Sequence, residues 1–332
     1  MTIGMSRRHL LGAAAATPLA SQAAIRPDAP AMFLSTWDFG AAANDAAYRT
    51  LSAGGTLLDA VEAGARVPEA DPTNHSVGYG GYPDRDGRVT TDAVIMDDAG
   101  NVGAVAALEH VMHAISVARA VMDRTPHTML VGEGATRFAM DCGFPRTTML
   151  TPEAEAEWRK WLETARYKPI ANIENRKAIQ GDARDHDTIG LLGRSRDGRL
   201  AGACTTSGMA FKMHGRIGDS PQVGCGLFVE AGVGGATATG LGEEVTRIAG
   251  SARVVASMRT GLSPEAACRE ALDHLTRLRG AKLNGTQVAF LAIGRDGRVG
   301  AGSLLPGFTY AVTDQSGRTS VHQAQSMETA KK

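Results

Sequence analysis

The sequence predicts a layered α+β fold. Three observations carry this reading: short apolar runs stand beside segments of helical period, the runs come in neighbouring pairs around tight turns, and glycine punctuates the junctions. Ala31 to Thr36 forms the first apolar run and is expected as a short buried strand ending at Trp37. Two helices follow, over about 42–53 and 56–66, separated by Gly54-Gly55. Ser76 to Gly81 reads as a glycine-rich turn, and Ala93–Asp97 with Val102–Leu108 as a strand pair around Asp98-Ala99-Gly100-Asn101. Apolar residues recur at helical spacing over about 112–124, 131–141 and 152–165. Residues 167–186 are polar, without either period, and are expected as a linker. Thr188 to Gly193 then opens a strand, paired with Leu200 to Thr205 across Asp197-Gly198. Helices over about 243–259 and 264–279 and three or four strands between 287 and 322 complete the chain. No repeat of solenoid period is present.

Composition narrows the function. The 332 residues contain 43% hydrophobic and 21% charged residues, which is a globular balance. The 35 Lys and Arg cancel the 35 Asp and Glu, so neither nucleic acid nor an acidic membrane surface is expected as a partner. Ser6-Arg7-Arg8-His9-Leu10-Leu11 resembles a twin-arginine export signal, with a weakly apolar run to Leu19 and small residues placed for cleavage after Ala23. The expectation is a signal peptide over 1–23 and a mature protein in the periplasm. Cys142, Cys204, Cys225 and Cys268 are too sparse for a disulfide framework and are expected as free thiols.

Several tempting motifs fail on chemical grounds. Gly232-Val233-Gly234-Gly235-Ala236 lacks the third glycine and the later acidic residue of a dinucleotide loop. His110 and His113, with Glu109, have no sequence-local third ligand for a metal and are expected on an exposed helix surface; neither metal nor cofactor is expected. Ser220 precedes Pro221 and belongs to no G-x-S-x-G elbow. The junction His186-Asp187-Thr188-Ile189-Gly190 is different. A threonine hydroxyl needs a base, and cutting the bond before Thr188 would free an α-amine with a pKa near ~8 beside it. Position alone leaves this suggestive, since threonine at a strand start is commonplace.

That junction, together with Thr205-Thr206-Ser207-Gly208-Met209-Ala210-Phe211-Lys212 and His214-Gly215-Arg216-Ile217-Gly218-Asp219-Ser220-Pro221, resembles the glycosylasparaginase (aspartylglucosaminidase) family. The resemblance continues through Gly224–Val229 and Ala236–Glu244, and in the first half through Ser35-Thr36-Trp37, Asp59–Glu62, Ser76–Gly81 and Asp92–Asp97. It implies a four-layer αββα sandwich of the N-terminal-nucleophile hydrolase type. It further implies self-cleavage between Asp187 and Thr188 into an α-chain (24–187) and a β-chain (188–332), the αβ units pairing as (αβ)2. Carried over by position, Thr188 is the nucleophile and Thr206 assists it. Arg216 holds the substrate α-carboxylate and Asp219 its α-ammonium, with Ile217 and Gly218 between them. Thr239 and Gly240 form the oxyanion hole, Leu241 and Gly242 continue that loop, and Trp37 lines the pocket. An arginine and an aspartate three apart suit a zwitterionic head group. The activity implied is hydrolysis of the amide between N-acetylglucosamine and an asparagine side chain. An isoaspartyl peptidase with L-asparaginase activity shares the nucleophile and clamp, and a non-enzymatic periplasmic amino-acid binding protein is the reading from another class.

Overall fold

The structure is a computed structural model and describes residues 31–164 and 188–328. The expected signal peptide, the linker 167–186 and Asp187 lie outside the described residues. Strand β1 (Met32–Thr36) leads into α1 (Gly40–Ser52) and α2 (Leu57–Glu69). Helix α2 starts at a reciprocal capping box: the Asp59 N–H donates to Thr56 Oγ1 at 3.1 Å, and the Thr56 N–H to Asp59 Oδ2 at 2.9 Å. The pair β2 (Thr91–Asp97) and β3 (Val102–Leu108) precedes α3 (Ala114–Arg124), β4 (Met129–Val131), α4 (Gly132–Asp141) and α5 (Pro152–Thr164). The second half runs β5 (Ile189–Arg194), β6 (Leu200–Thr206), β7 (Leu227–Glu230), β8 (Gly234–Gly240), α6 (Gly242–Arg247), α7 (Gly250–Arg259) and α8 (Pro264–Arg279). Five strands close it: β9 (Val288–Gly294), β10 (Val299–Ser303), β11 (Thr309–Thr313), β12 (Thr319–Gln323) and β13 (Gln325–Ser326).

The strands form two sheets, ordered β12-β11-β1-β5-β6-β2-β3-β4 and β13-β10-β9-β8-β7. Strand alternation sorts their side chains into three cores. Phe33, Leu191 and Ala203 pack with α1–α3 on the outside of the larger sheet. Their sequence neighbours Leu34, Leu192 and Cys204 instead meet Leu227, Val229 and Leu291 between the sheets. Phe290 and Ala292 pack with α7 and α8 outside the smaller sheet. The order is therefore helix, sheet, sheet, helix, and the expected αββα layering is present. Cys204, Cys225 and Cys268 are buried, Cys142 is half-buried, and all four are free. Among the described residues no helix is long and apolar enough to cross a membrane.

Two expectations need correction. The single helix over 243–259 is two helices, because Ala249 adopts a left-handed conformation (φ 48°). The turn lets Gly250 press onto the Phe290 ring, where a Cβ would come within 2.5 Å of Cε1. The helix expected over about 131–141 is present as α4; before it β4 pairs parallel with β3, and Gly132 turns the chain at φ 55°. His110 and His113 are not on an exposed helix face. His110 sits at φ 65° before α3, and His113 lies 3.4 Å from the buried Glu69 carboxylate. Gly232 lies in the β7–β8 hairpin turn at φ 75°, so no helix N-terminus follows it to receive a phosphate.

Candidate active site

Side-chain alternation places three hydroxyls in the space between the sheets. On β5, Ile189 and Leu191 face the helices. Thr188 and Gly190 therefore face the second sheet, and a Cβ on Gly190 would lie 2.0 Å from Thr237 Oγ1. On β6, Ala203 faces the helices and Cys204 the interior, so Thr206 shares the face of Cys204. On β8, Ala238 faces α7 and α8, so Thr237 and Thr239 turn inward. Thr188, Thr206 and Thr239 are all buried.

Thr188 is held on several sides. Its backbone N–H donates to Thr239 Oγ1 at 3.2 Å, its carbonyl accepts from Thr36 Oγ1, and its own Oγ1 lies 3.4 Å from Ser220 Oγ. Thr36 also accepts from the Gly190 N–H at 2.9 Å, so the end of β1 clasps both residues flanking Ile189. Trp37 follows Thr36 at φ 65° and donates from Nε1 to Thr239 Oγ1 at 3.1 Å. Thr239 thus accepts two N–H groups, which leaves its own proton to donate. Thr206 Oγ1 donates to Ser76 O at 3.1 Å and accepts from the Gly208 N–H at 2.9 Å. It faces the same pocket as Thr188, but the hydroxyl within reach of Thr188 Oγ1 is that of Ser220.

Both charged residues expected as a clamp reach the pocket, and Arg216 has a protein partner besides. Arg216, Gly218 and Asp219 line the pocket with Thr188, Gly240 and Leu241. The Arg216 fork, however, is already held by Glu243, through Nε–Oε1 at 2.8 Å and Nη2–Oε2 at 2.7 Å. Burial opposes the Arg216 charge, but the hydrogen bonds and charge of Glu243, together with the charges of Asp92 and Asp219, outweigh it and raise its pKa. Burial pushes the Asp219 carboxyl up to about 6; its own backbone N–H and Arg216 oppose this, while Glu243 and Asp92 add to it. Asp219 Oδ2 is buried without a hydrogen-bond partner. Gly242 does not line the pocket but packs on Asp219, where a Cβ would fall 2.6 Å from Oδ1. Gly240 must be glycine: φ is 102°, and a Cβ would meet Gln287 O at 2.4 Å. Ile217 is half-buried beside the pocket-lining pair, outside the lining itself.

A family profile described as asparaginase matches residues 34–322. The chain belongs to the asparaginase family. A protein of Elizabethkingia miricola named N(4)-(Beta-N-acetylglucosaminyl)-L-asparaginase is 54% identical over 287 residues, covering 86% of this chain and 82% of its own length. A Rattus norvegicus protein of the same name is 37% identical over 267 residues, covering 74% and 77%. The asparaginase family is of the N-terminal-nucleophile hydrolase type, as the resemblance implied.

In this asparaginase-family chain the pocket wall is braced from the first half. Lys212 is buried beneath Gly208 and donates to Ser207 O at 2.9 Å; burial lowers its pKa, with Asp92 opposing and Arg216 adding to the shift. Phe211 stacks on Trp161 at 4.9 Å and tilts against Tyr82 at 5.6 Å, and His214 Nδ1 meets Asp84 Oδ2 at 2.7 Å. Among the described residues Asp84, Asp86 and His214 bring possible ligand atoms within 4.8 Å of one another. Asp84 is already engaged there, its Oδ1 by the Asp86 and Arg88 N–H groups and its Oδ2 by His214. Thr36, Ser220 and Glu243 are the site residues that reading the sequence missed. All three stood inside matching segments, but nothing local in the sequence gives them a partner.

Proposed function

We propose that the chain is an N4-(β-N-acetylglucosaminyl)-L-asparaginase, matured by self-cleavage between Asp187 and Thr188. The observation that carries this is Thr188, buried at the start of β5 with its N–H on Thr239 and its hydroxyl beside Ser220. The names of the relatives supply the substrate class. In the precursor, Thr188 Oγ1 adds to the Asp187 carbonyl carbon, and the C–N bond to Thr188 breaks as the new ester C–O bond stays. That cleavage frees the α-amine, which takes the hydroxyl proton; water then hydrolyses the ester, freeing the Asp187 carboxyl and restoring the hydroxyl. In the mature protein that amine takes the Thr188 hydroxyl proton while Oγ1 adds to the side-chain amide carbon of the substrate. Thr239 O–H and Gly240 N–H would receive the oxyanion, a donor of this kind being worth about 3–4 kcal/mol. The proton passes to the leaving glycosylamine, and water releases aspartate from the ester.

The same reading gives an αβ unit, paired as (αβ)2, exported by the twin-arginine signal to the periplasm. Its supports are the family membership for the first and the Ser6–Leu11 segment for the second. On a denaturing gel the purified protein is expected as two chains of about 17 and 15 kDa, scaled from 34.7 kDa for the whole. N-terminal sequencing should begin one of them at Thr188, and Thr188→Ala should remain one inactive chain. A chain that stays intact and binds amino acids without hydrolysis would sink the proposal. Rates on glycosylasparagine, a β-aspartyl dipeptide and free asparagine separate the substrate readings.

A further inference from the structure

The Arg216 guanidinium has two edges that can grip a carboxylate, and the structure treats them differently. Its Nε and Nη2 donate to Glu243. Its other edge lies over Gly218, where an added Cβ would stand 3.1 Å from Nη1 and 3.3 Å from Nη2. Gly218 and Arg216 both line the pocket that holds Thr188, and Glu243 does not. Glu243 therefore reaches the arginine from behind, and the absent side chain at Gly218 keeps the Nη1 edge accessible from the front. A second observation concerns Asp219. It is fully buried, feels the Arg216 charge, and yet keeps Oδ2 without a hydrogen-bond partner. Two opposite charges lining one buried pocket would ordinarily be drawn to each other.

We propose that Glu243 is a positioning residue that sets selectivity for a free amino-acid head group. By gripping the Nε/Nη2 edge it turns the Nη1 edge of Arg216 into the pocket, and it holds the guanidinium off Asp219. Both charges stay available: Arg216 for the substrate α-carboxylate, Asp219 for its α-ammonium. A zwitterion satisfies both at once, and a ligand blocked at one end leaves one charge buried and unpaired. This rests on the reading of the pocket as an amino-acid subsite.

The test uses Glu243→Gln, Glu243→Asp and Glu243→Ala in the processed protein. Release of Arg216 onto Asp219 should raise KM for glycosylasparagine about tenfold or more in the Ala variant, with kcat little changed. The preference for substrates with free over blocked ends should shrink at both ends together, and Glu243→Asp, which keeps the charge, should restore part of it. L-aspartate binding to the same proteins, by calorimetry, should weaken in parallel. Unchanged KM and unchanged selectivity would overturn the inference, as would a fall in kcat alone. Failure of all three variants to mature would assign Glu243 to folding and overturn it too. Should the wild type bind L-aspartate but split no β-aspartyl amide, the functional reading falls while the Glu243 effect on binding still stands or falls by itself.

Discussion

Asp219 is where function and stability should oppose each other most clearly. Its carboxyl rises from 3.8 to about 6 on folding, chiefly through burial. Between those values the native state holds a proton that the unfolded chain has lost, so stability falls as pH rises through this window. Above it Asp219 is charged in both states, and the native state bears the full desolvation cost. About two pH units at 1.36 kcal/mol each give a cost of roughly 3 kcal/mol, fully present above pH 6 and absent below about pH 4. Asp219→Asn removes the titration and keeps the shape. It should therefore be more stable than wild type at pH 8 by up to about 3 kcal/mol, worth several degrees of melting temperature, and nearly equal at pH 4. The same change removes the partner of the substrate ammonium and should lower kcat/KM roughly tenfold to a hundredfold or more. The assay is thermal unfolding of both proteins at pH 4 and pH 8, with the difference of differences cancelling every other titrating group. Wild-type kcat/KM should itself decline below about pH 6 as Asp219 protonates. A stability gain equal at both pH values, or none at pH 8, would refute the reasoning. So would full activity in the variant.

Two other perturbations read single contacts. Arg216→Lys keeps a charge but loses the planar guanidinium that joins Glu243 to the pocket. It should lower kcat/KM about tenfold to a hundredfold, shrink the penalty for a blocked substrate carboxyl, and leave the penalty for a blocked amine, which belongs to Asp219; hydrolysis rates on the two blocked substrates check it. Replacing Arg7 and Arg8 by lysines should retain the protein in the cytoplasm, since a receptor reads the arginine pair; cell fractionation decides, and normal periplasmic recovery would remove the export proposal alone.

What the sequence made legible follows the range of the interactions. The β2–β3 and β5–β6 hairpins were plain because their period, turn residues and pairing are all local. The capping box at Thr56 is equally local, yet the reading by period and glycine passed over it. The break at Ala249 was not, because helical period runs through it and only contact with Phe290, forty residues on, calls for the turn. Sheet order was equally hidden: β1 pairs with β5 and β11, each more than 150 residues away. At the site, residue types and spacing singled out Thr188 as a suggestion, and family resemblance supplied the roles of Arg216, Asp219, Thr239 and Gly240. Neither supplied partners. Glu243 on Arg216, Ser220 beside Thr188 and Thr36 between Thr188 and Gly190 are products of tertiary packing.

The glycine content then acquires a reason that composition alone could not give. Stacked sheets ordinarily stand about 10 Å apart, a gap that side chains from both faces fill. Here the backbone N–H of Thr188 on the larger sheet reaches Thr239 Oγ1 on the smaller one at 3.2 Å, which needs a much closer approach at this point. An inward glycine beside it, Gly190, supplies that approach, and two more farther along the strands let leucines in. A Cβ at Gly190 would strike Thr237, one at Gly202 would meet Leu227 at 2.6 Å, and one at Gly235 would touch Leu192 at 3.2 Å. The inward Gly190 thus thins the interior beside the nucleophile, while Gly202 and Gly235 make room for Leu227 and Leu192, which with Leu34 and Leu291 keep the rest of it filled. The arrangement gives up apolar burial, about 25 cal/mol for each Å² not covered, in exchange for hydroxyls held rigidly across the interface. Loops could bring such groups together as well, but two sheets clamped by helices on both outer faces hold them with less freedom to drift.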